Sequence, residues 1–210
     1  MAIICSISVS LDGFTAGPKQ SLENPIGEGG MRLHEWMFQT ASWREMHGEK
    51  GGQRTEDSDM IDEFSRNVGA YIMGRKMFGG GDGKWDMSWK GWWGDDPPYH
   101  TPVFVLTHHP RESLPMRGGT TFHFVSDGID SVLQQARQAA GDKDIAIAGG
   151  ASTVQQFIRA GKLDQLHLHV VPVILGDGER LLKNVGEPKF EIEMVTASPT
   201  VTHIKYRITR

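Results

Sequence analysis

Short runs of branched and aromatic residues, each stopped by glycine or a small polar turn, alternate along this chain with segments whose apolar residues recur every three or four positions. That alternation narrows the fold more than any other feature. Strands buried on both faces read as continuous apolar runs, and the helices that cover them carry one apolar stripe. Ile3, Ile4, Ile7 and Val9 supply the first run, which ends at Asp12-Gly13. Residues 70–73 run into Gly74-Arg75, residues 102–106 deliver Thr107-His108-His109, residues 121–125 form another strand, and residues 144–148 break at Gly149-Gly150. Residues 163–174 read as a long strand interrupted at Pro172 and ending in Leu175-Gly176-Asp177-Gly178.

Between these runs, Leu33, Trp36, Met37, Phe38 and Ala41 predict an amphipathic helix over 31–43. Ser58 is placed to cap a helix carrying Met60, Ile61, Phe64 and Val68, and Asp127 one carrying Ile129, Val132, Leu133 and Ala136. Residues 152–160 look helical as well. Phe190, Ile192 and Met194, then Thr202, Ile204, Tyr206 and Ile208, alternate with other side chains around Ser198-Pro199, which predicts an antiparallel hairpin. The fold class is therefore α/β: three layers, a mixed and mostly parallel sheet with helices on both faces, and a C-terminal antiparallel hairpin. The 210 residues fit a single domain spanning 1–210.

A formal net charge of -4 gives no general basic surface, so a nucleic-acid role is disfavoured. No apolar run approaches the roughly 20 residues that cross a bilayer, so no membrane role is expected. The single cysteine, Cys5, lies within an apolar strand and forbids an intrachain disulfide. The opening residues lack a basic segment and meet Ser, Asp and Gly early, so the cytoplasm is the expected location.

Ligands of such sheets bind beyond the carboxyl ends of the parallel strands. Gly149-Gly150-Ala151-Ser152-Thr153 joins a strand to a helix, where bare backbone and helix N–H groups favour an anion; a plain tight turn explains the same glycines. Gly74-Arg75-Lys76 adds two cations and Thr107-His108 further donors, each also readable as an ordinary surface turn. Three phosphate-compatible exits on one sheet edge suggest an extended, multiply phosphorylated ligand such as a dinucleotide, although neither the Rossmann nor the P-loop pattern occurs at these exits. Residues 79–98 form a glycine-rich loop carrying Trp85, Trp89, Trp92 and Trp93, four rings that can pack the loop down or act together as a lid. His167-Leu168-His169 places two imidazoles on one strand face; without further ligands in register, packing explains them better than a metal.

In chain order, Ser8-Val9-Ser10-Leu11-Asp12-Gly13, Ile72-Met73-Gly74-Arg75-Lys76, Val105-Leu106-Thr107, Ala148-Gly149-Gly150 and residues 171–178 together resemble the dihydrofolate reductase-like superfamily. The resemblance covers residues 3–208 and is greatest to the branch containing the reductase domain of bifunctional riboflavin-biosynthesis proteins (RibD C-terminal-like).

The resemblance implies NADPH lying across the strand exits. Gly74, Arg75 and Lys76 would meet the adenosine phosphates, Thr107 and His108 the 2′-phosphate region, and Gly149, Gly150, Ala151, Ser152 and Thr153 the pyrophosphate. The segment from Ser10 would border the nicotinamide, with Trp36 and Trp85 as walls of the substrate pocket, and Asp12 and Glu179 as the carboxylates placed to handle a proton or anchor substrate. This chain carries Met77 where relatives have a hydroxyl, and Glu35 does not align with the carboxylate that dihydrofolate reductases project from their first helix. The implied activity is NADPH-dependent reduction of a small heterocyclic or carbonyl substrate, such as the ribosyl group of a phosphorylated aminouracil. Related proteins pair through edge strands, which gives the terminal hairpin a role in a homodimer. A dimeric nucleotide-binding module without turnover and a flavin-using oxidoreductase are the alternatives.

Overall fold

The computed structural model describes residues 1–81 and 83–209. Its strands are β1 (Ile3–Ser10), β2 (Phe14–Ala16), β3 (Val68–Gly74), β4 (Pro102–Leu106), β5 (Leu114–Pro115), β6 (Thr121–Val125), β7 (Asp144–Gly149), β8 (Gln165–Val171), β9 (Glu179–Arg180), β10 (Lys189–Ala197) and β11 (Thr202–Thr209). Its helices are α1 (Glu35–Phe38), α2 (Ala41–Met46), α3 (Glu56–Ser65), α4 (Arg75–Phe78), α5 (Gly128–Ala140) and α6 (Ala151–Arg159). The main sheet runs β10-β11-β8-β1-β7-β3-β4-β6-β5, and β2 pairs with β9 in a separate ribbon.

From β8 to β6 the neighbours are parallel, while β11, β10 and β5 are antiparallel additions at the edges. The chain leaves β1, builds β3, β4 and β6 on one side, and returns to insert β7 between β1 and β3. The order β1-β7-β3-β4 makes the four strand exits picked out in the sequence consecutive neighbours, because the register pairs Met73 with Gly149 and Gly74 with Leu106.

Alternation of side chains divides the core between the two faces. Ile3, Cys5, Ile72, Ile145 and Ile147 pack under Val132, Leu133 and Ala136 of α5 and Val154 and Phe157 of α6. On the other face Ile4, Val68 and Ala146 meet Phe64 of α3, and Leu33 and Trp36 meet Val171 and Val201. Met73, Val103, Val105 and Phe122 are covered on that face by Phe78 and the tryptophan loop. Cys5 is fully buried, and burial pushes its thiol up to about 12. Among the described residues no helix is long and apolar enough to cross a membrane.

The expected continuous helix over 31–43 is broken into a 3-10 turn (Gly30–Leu33), α1 and α2. Thr40 causes the second break: its backbone is extended, and its hydroxyl accepts the Trp43 N–H at 3.2 Å, so Thr40 caps a new helix. Ser58 is not the cap of α3, which begins after Thr55; its Oγ is buried 2.6 Å from Ser42 Oγ and ties α2 to α3. Asp127 stands at the N-cap position of α5 without a side-chain cap bond. The long strand stops at Val171, before Pro172, as a missing backbone N–H requires.

Candidate active site

A cleft of about 900 Å³ lies over the adjacent exits of β7, β3 and β4 and against Ile7 and Ser8 of β1. Gly74, Arg75, Lys76, Thr107, His108, Gly149, Gly150, Ala151, Ser152, Thr153 and Glu179 all line it, so the topology gathers into one wall residues more than a hundred positions apart. Gly150 occupies the N-cap position of α6 with no side-chain cap, and a Cβ built on it would meet nothing within 4 Å, so the first amides of α6 face room for a ligand. A Cβ on Gly74 would stand 2.5 Å from Thr153 Oγ1; glycine is what allows β3 to end against α6. The Gly149–Gly150 peptide bond is cis.

Arg75 and Lys76 part company. The three guanidinium nitrogens of Arg75 are buried and its plane lies 3.8 Å over the Trp85 ring, whereas the Lys76 side chain is largely exposed with its ammonium 4.0 Å from Glu179. Lys76 is thus the exposed cation of this wall, and Arg75 pins the loop. Three indoles complete the pinning: Trp89 donates to Phe78 O at 3.0 Å, Trp92 to Met77 O at 2.8 Å and Trp85 to His109 O at 2.8 Å. Two of these acceptors are terminal carbonyls of α4 that lack a helical partner. Arg75→Ala is expected to remove a cation–π contact worth about 1–2 kcal/mol and to loosen this loop. A red shift of tryptophan emission with a lowered Tm is the readout, and an unshifted spectrum contradicts the pinning role.

The remaining expected site residues sit elsewhere. Asp12 does not line the cleft: its carboxylate accepts from the amides of Gly176 at 2.7 Å and Leu175 at 3.2 Å. The hydroxyl of Ser10 and these amides hold it down to about 2, and the amide bonds tie it to the loop after β8. Ser10 is buried and its Oγ accepts the Phe14 N–H at 3.0 Å. Trp36 lies beneath the cleft floor, donating its indole N–H to Ser8 Oγ at 3.1 Å while Ser8 itself lines the cleft. Trp85 packs behind the wall, and Trp92 and Trp93 take the lining position instead. Glu179 is the one acidic side chain lining the cleft among the described residues.

Sequence reasoning missed much of the opposite wall. Met31, His34, Phe38, Trp43 and His47 line it, brought together by the break at Thr40 that turns α2 away from α1. The signal available was the Thr40-to-Trp43 capping spacing.

The sequence profile of the RibD C-terminal domain matches residues 1–204. The chain belongs to that family. It is 28% identical over 164 residues to the uncharacterized protein YyaP of Bacillus subtilis (strain 168), covering 71% of this chain and 80% of that one. Among solved structures, a putative riboflavin biosynthesis protein from Shewanella sp. PV-4 superposes with a TM-score of 0.67 at 22% identity over 100% of both chains. Dihydrofolate reductase from Enterococcus faecalis, complexed with NADP(H), superposes with a TM-score of 0.56 at 11% identity, covering 100% of this chain and 97% of that one. The fold is dihydrofolate reductase-like.

Within this RibD-type frame, a buried polar chain supports the cleft floor. Ser6 Oγ lies 2.7 Å from His169 Nε2, His169 Nδ1 lies 2.7 Å from His203 Nδ1, and His203 Nε2 donates to Asp57 Oδ1 at 2.8 Å. Only one proton fits between the two Nδ1 atoms, so at most one of the two rings is charged. Burial, then the neighbouring His203 and His167, hold His169 down to about 3. Trp36 packs on both rings at 4.9 and 5.1 Å between centroids, which links this chain to Ser8. The His167-Leu168-His169 pair therefore has packing and hydrogen-bonding roles; among the described residues no group of three ligands suited to a metal occurs.

Proposed function

We propose that this protein is an NADPH-dependent reductase of a small heterocyclic or carbonyl substrate, of the kind that reduces 5-amino-6-(5-phosphoribosylamino)uracil in riboflavin biosynthesis. The observation that carries the reading is the cleft wall itself: the α6 N-terminus beside a glycine with open space above it, next to the exposed Lys76 and the donors of Thr107 and His108. Helix amides and a cation suit phosphate, and a cleft of this size suits a dinucleotide-scale ligand.

Bound there, NADPH would supply the hydride. The amides of Gly150, Ala151 and Ser152 with Thr153 would seat the pyrophosphate, and Lys76 and His108 would neutralise the remaining phosphate charge. Trp92 and Trp93 would shield one side of the cleft and Phe38 and Trp43 the other, with Glu179 as the lining carboxylate to handle a proton. Alignment and dryness are most of what such a reaction asks of a protein. The antiparallel hairpin ends the sheet at β10, where Ile192 and Val195 are exposed; we assign this edge to a homodimer. The protein would act in the cytoplasm.

Titration of tryptophan emission with NADPH and NADH, followed by coenzyme oxidation over pterins, aminouracils and quinones, tests the reading. Tighter binding of NADPH and its oxidation by one substrate class are expected. Silence toward both coenzymes overturns the proposal; binding without turnover on any acceptor replaces it with a nucleotide-binding module.

A further inference from the structure

The wall facing the phosphate cradle is built differently from it. His34 Nδ1 lies 3.4 Å from the Gly30 carbonyl, and His47 Nδ1 lies 2.8 Å from the Trp43 carbonyl. A carbonyl can only accept, so each Nδ1 carries the proton and Nε2 is the nitrogen left for a ligand, a lone-pair acceptor whenever the ring is neutral. Burial holds His34 below its ordinary value, which keeps that ring neutral near pH 7. The His47 ring packs on Trp43 with centroids 4.2 Å apart and planes tilted by 34°, and Trp43 packs on Phe38 at 5.5 Å and 52°, so aromatic rings flank these imidazoles. The lining carboxylate, Glu179, sits instead on the Lys76 wall.

We propose that His34 and His47 are the specificity-determining residues of the substrate end, accepting hydrogen bonds from N–H or O–H groups of a flat, uncharged ring laid against Phe38 and Trp43. This rests on reading the cleft as a small-molecule site and deepens it by naming what the acceptor must present: hydrogen-bond donors, not a positive charge. A protonated ring would find no anion on this wall to pair with among the described residues. A ring offering only acceptors would bond neither Nε2 and would leave that of the part-buried His34 without a partner, a mismatch that costs more than a hydrogen bond gains.

The test needs no coenzyme. Quinazoline-2,4-dione carries two N–H donors; its N1,N3-dimethyl derivative keeps the ring and loses both. Calorimetry or tryptophan quenching with the wild-type protein near neutral pH is expected to show the parent compound binding about tenfold more tightly, and His34→Phe or His47→Phe to shrink that ratio. Equal affinities, tighter binding of the dimethyl compound, or no binding of either overturns the proposal, as does a ratio that survives in both variants. Failure of NADPH to bind with the ratio intact would instead sink only the reductase reading.

Discussion

Glutamate in place of Ser152 is expected to leave the fold slightly more stable and to weaken NADPH binding on the order of 30-fold. The opposite signs come from one electrostatic fact. Ser152 is exposed in the first turn of α6 and lines the cleft. A carboxylate there meets the positive end of the helix dipole, which contributes about 0.3–1 kcal/mol to stability. The same carboxylate would occupy the seat proposed for the pyrophosphate, where like-charge repulsion over a few ångströms costs about 2 kcal/mol after partial screening. Ser152→Gln is the control, since it adds nearly the same bulk without charge. A Glu variant that binds NADPH as the Gln variant does, with its deficit independent of salt, removes the α6 N-terminus from the coenzyme site.

How far the site could be read from the sequence follows from which interactions are local. Gly74, Thr107 and Gly149 mark strand ends, and strand ends were legible because buried parallel strands are continuous apolar runs bounded by turn chemistry. A parallel sheet places these ends on one edge; that they are neighbours depends on β7 inserting between β1 and β3, which no local pattern reports. The far wall is less legible: Leu33, Trp36, Met37 and Phe38 fit an unbroken helix, and the apolar period outweighs the weaker local signal of Thr40 capping Trp43, which divides the helix and carries Trp43 and His47 to the cleft. Trp36 belongs to the core because its stripe faces Val171 and Val201 rather than ligand space. Asp12 and Ser10 carry chemistry-capable groups that long-range and loop amides consume, and no spacing rule reveals a partner 164 residues away. The ribbon of β2 and β9, three and two residues long, is below what periodicity can detect.

Acidification from pH 7.5 to 5 is expected to lower the unfolding free energy by on the order of 4 kcal/mol, read as a fall in the urea midpoint. His167 and His169 of β8 are held down to about 4 and about 3 in the fold, chiefly by burial, against 6.5 for the free side chain. Below 6.5 the unfolded chain takes up protons that the native chain refuses, so stability drops as pH falls and stops dropping from this source only below the folded values. At pH 5 each histidine contributes about 2 kcal/mol of that loss, from 1.36 kcal/mol for each pH unit travelled. Asp12, held down to about 2, gives up its contribution only below the ordinary carboxylate range and does not enter this window. His167→Gln should remove roughly half of the slope, since its ring is peripheral to the chain that joins Ser6, His169, His203 and Asp57. A midpoint that stays flat between pH 7.5 and 5 would mean that these rings ionise without unfolding β8. The consequence reaches the cleft because β8 flanks β1, which carries Ser8, and Trp36 bridges Ser8 to both buried rings. The cleft floor should therefore loosen with the same pH dependence as the fold, and Trp36→Phe, which lacks the indole N–H, should uncouple the two.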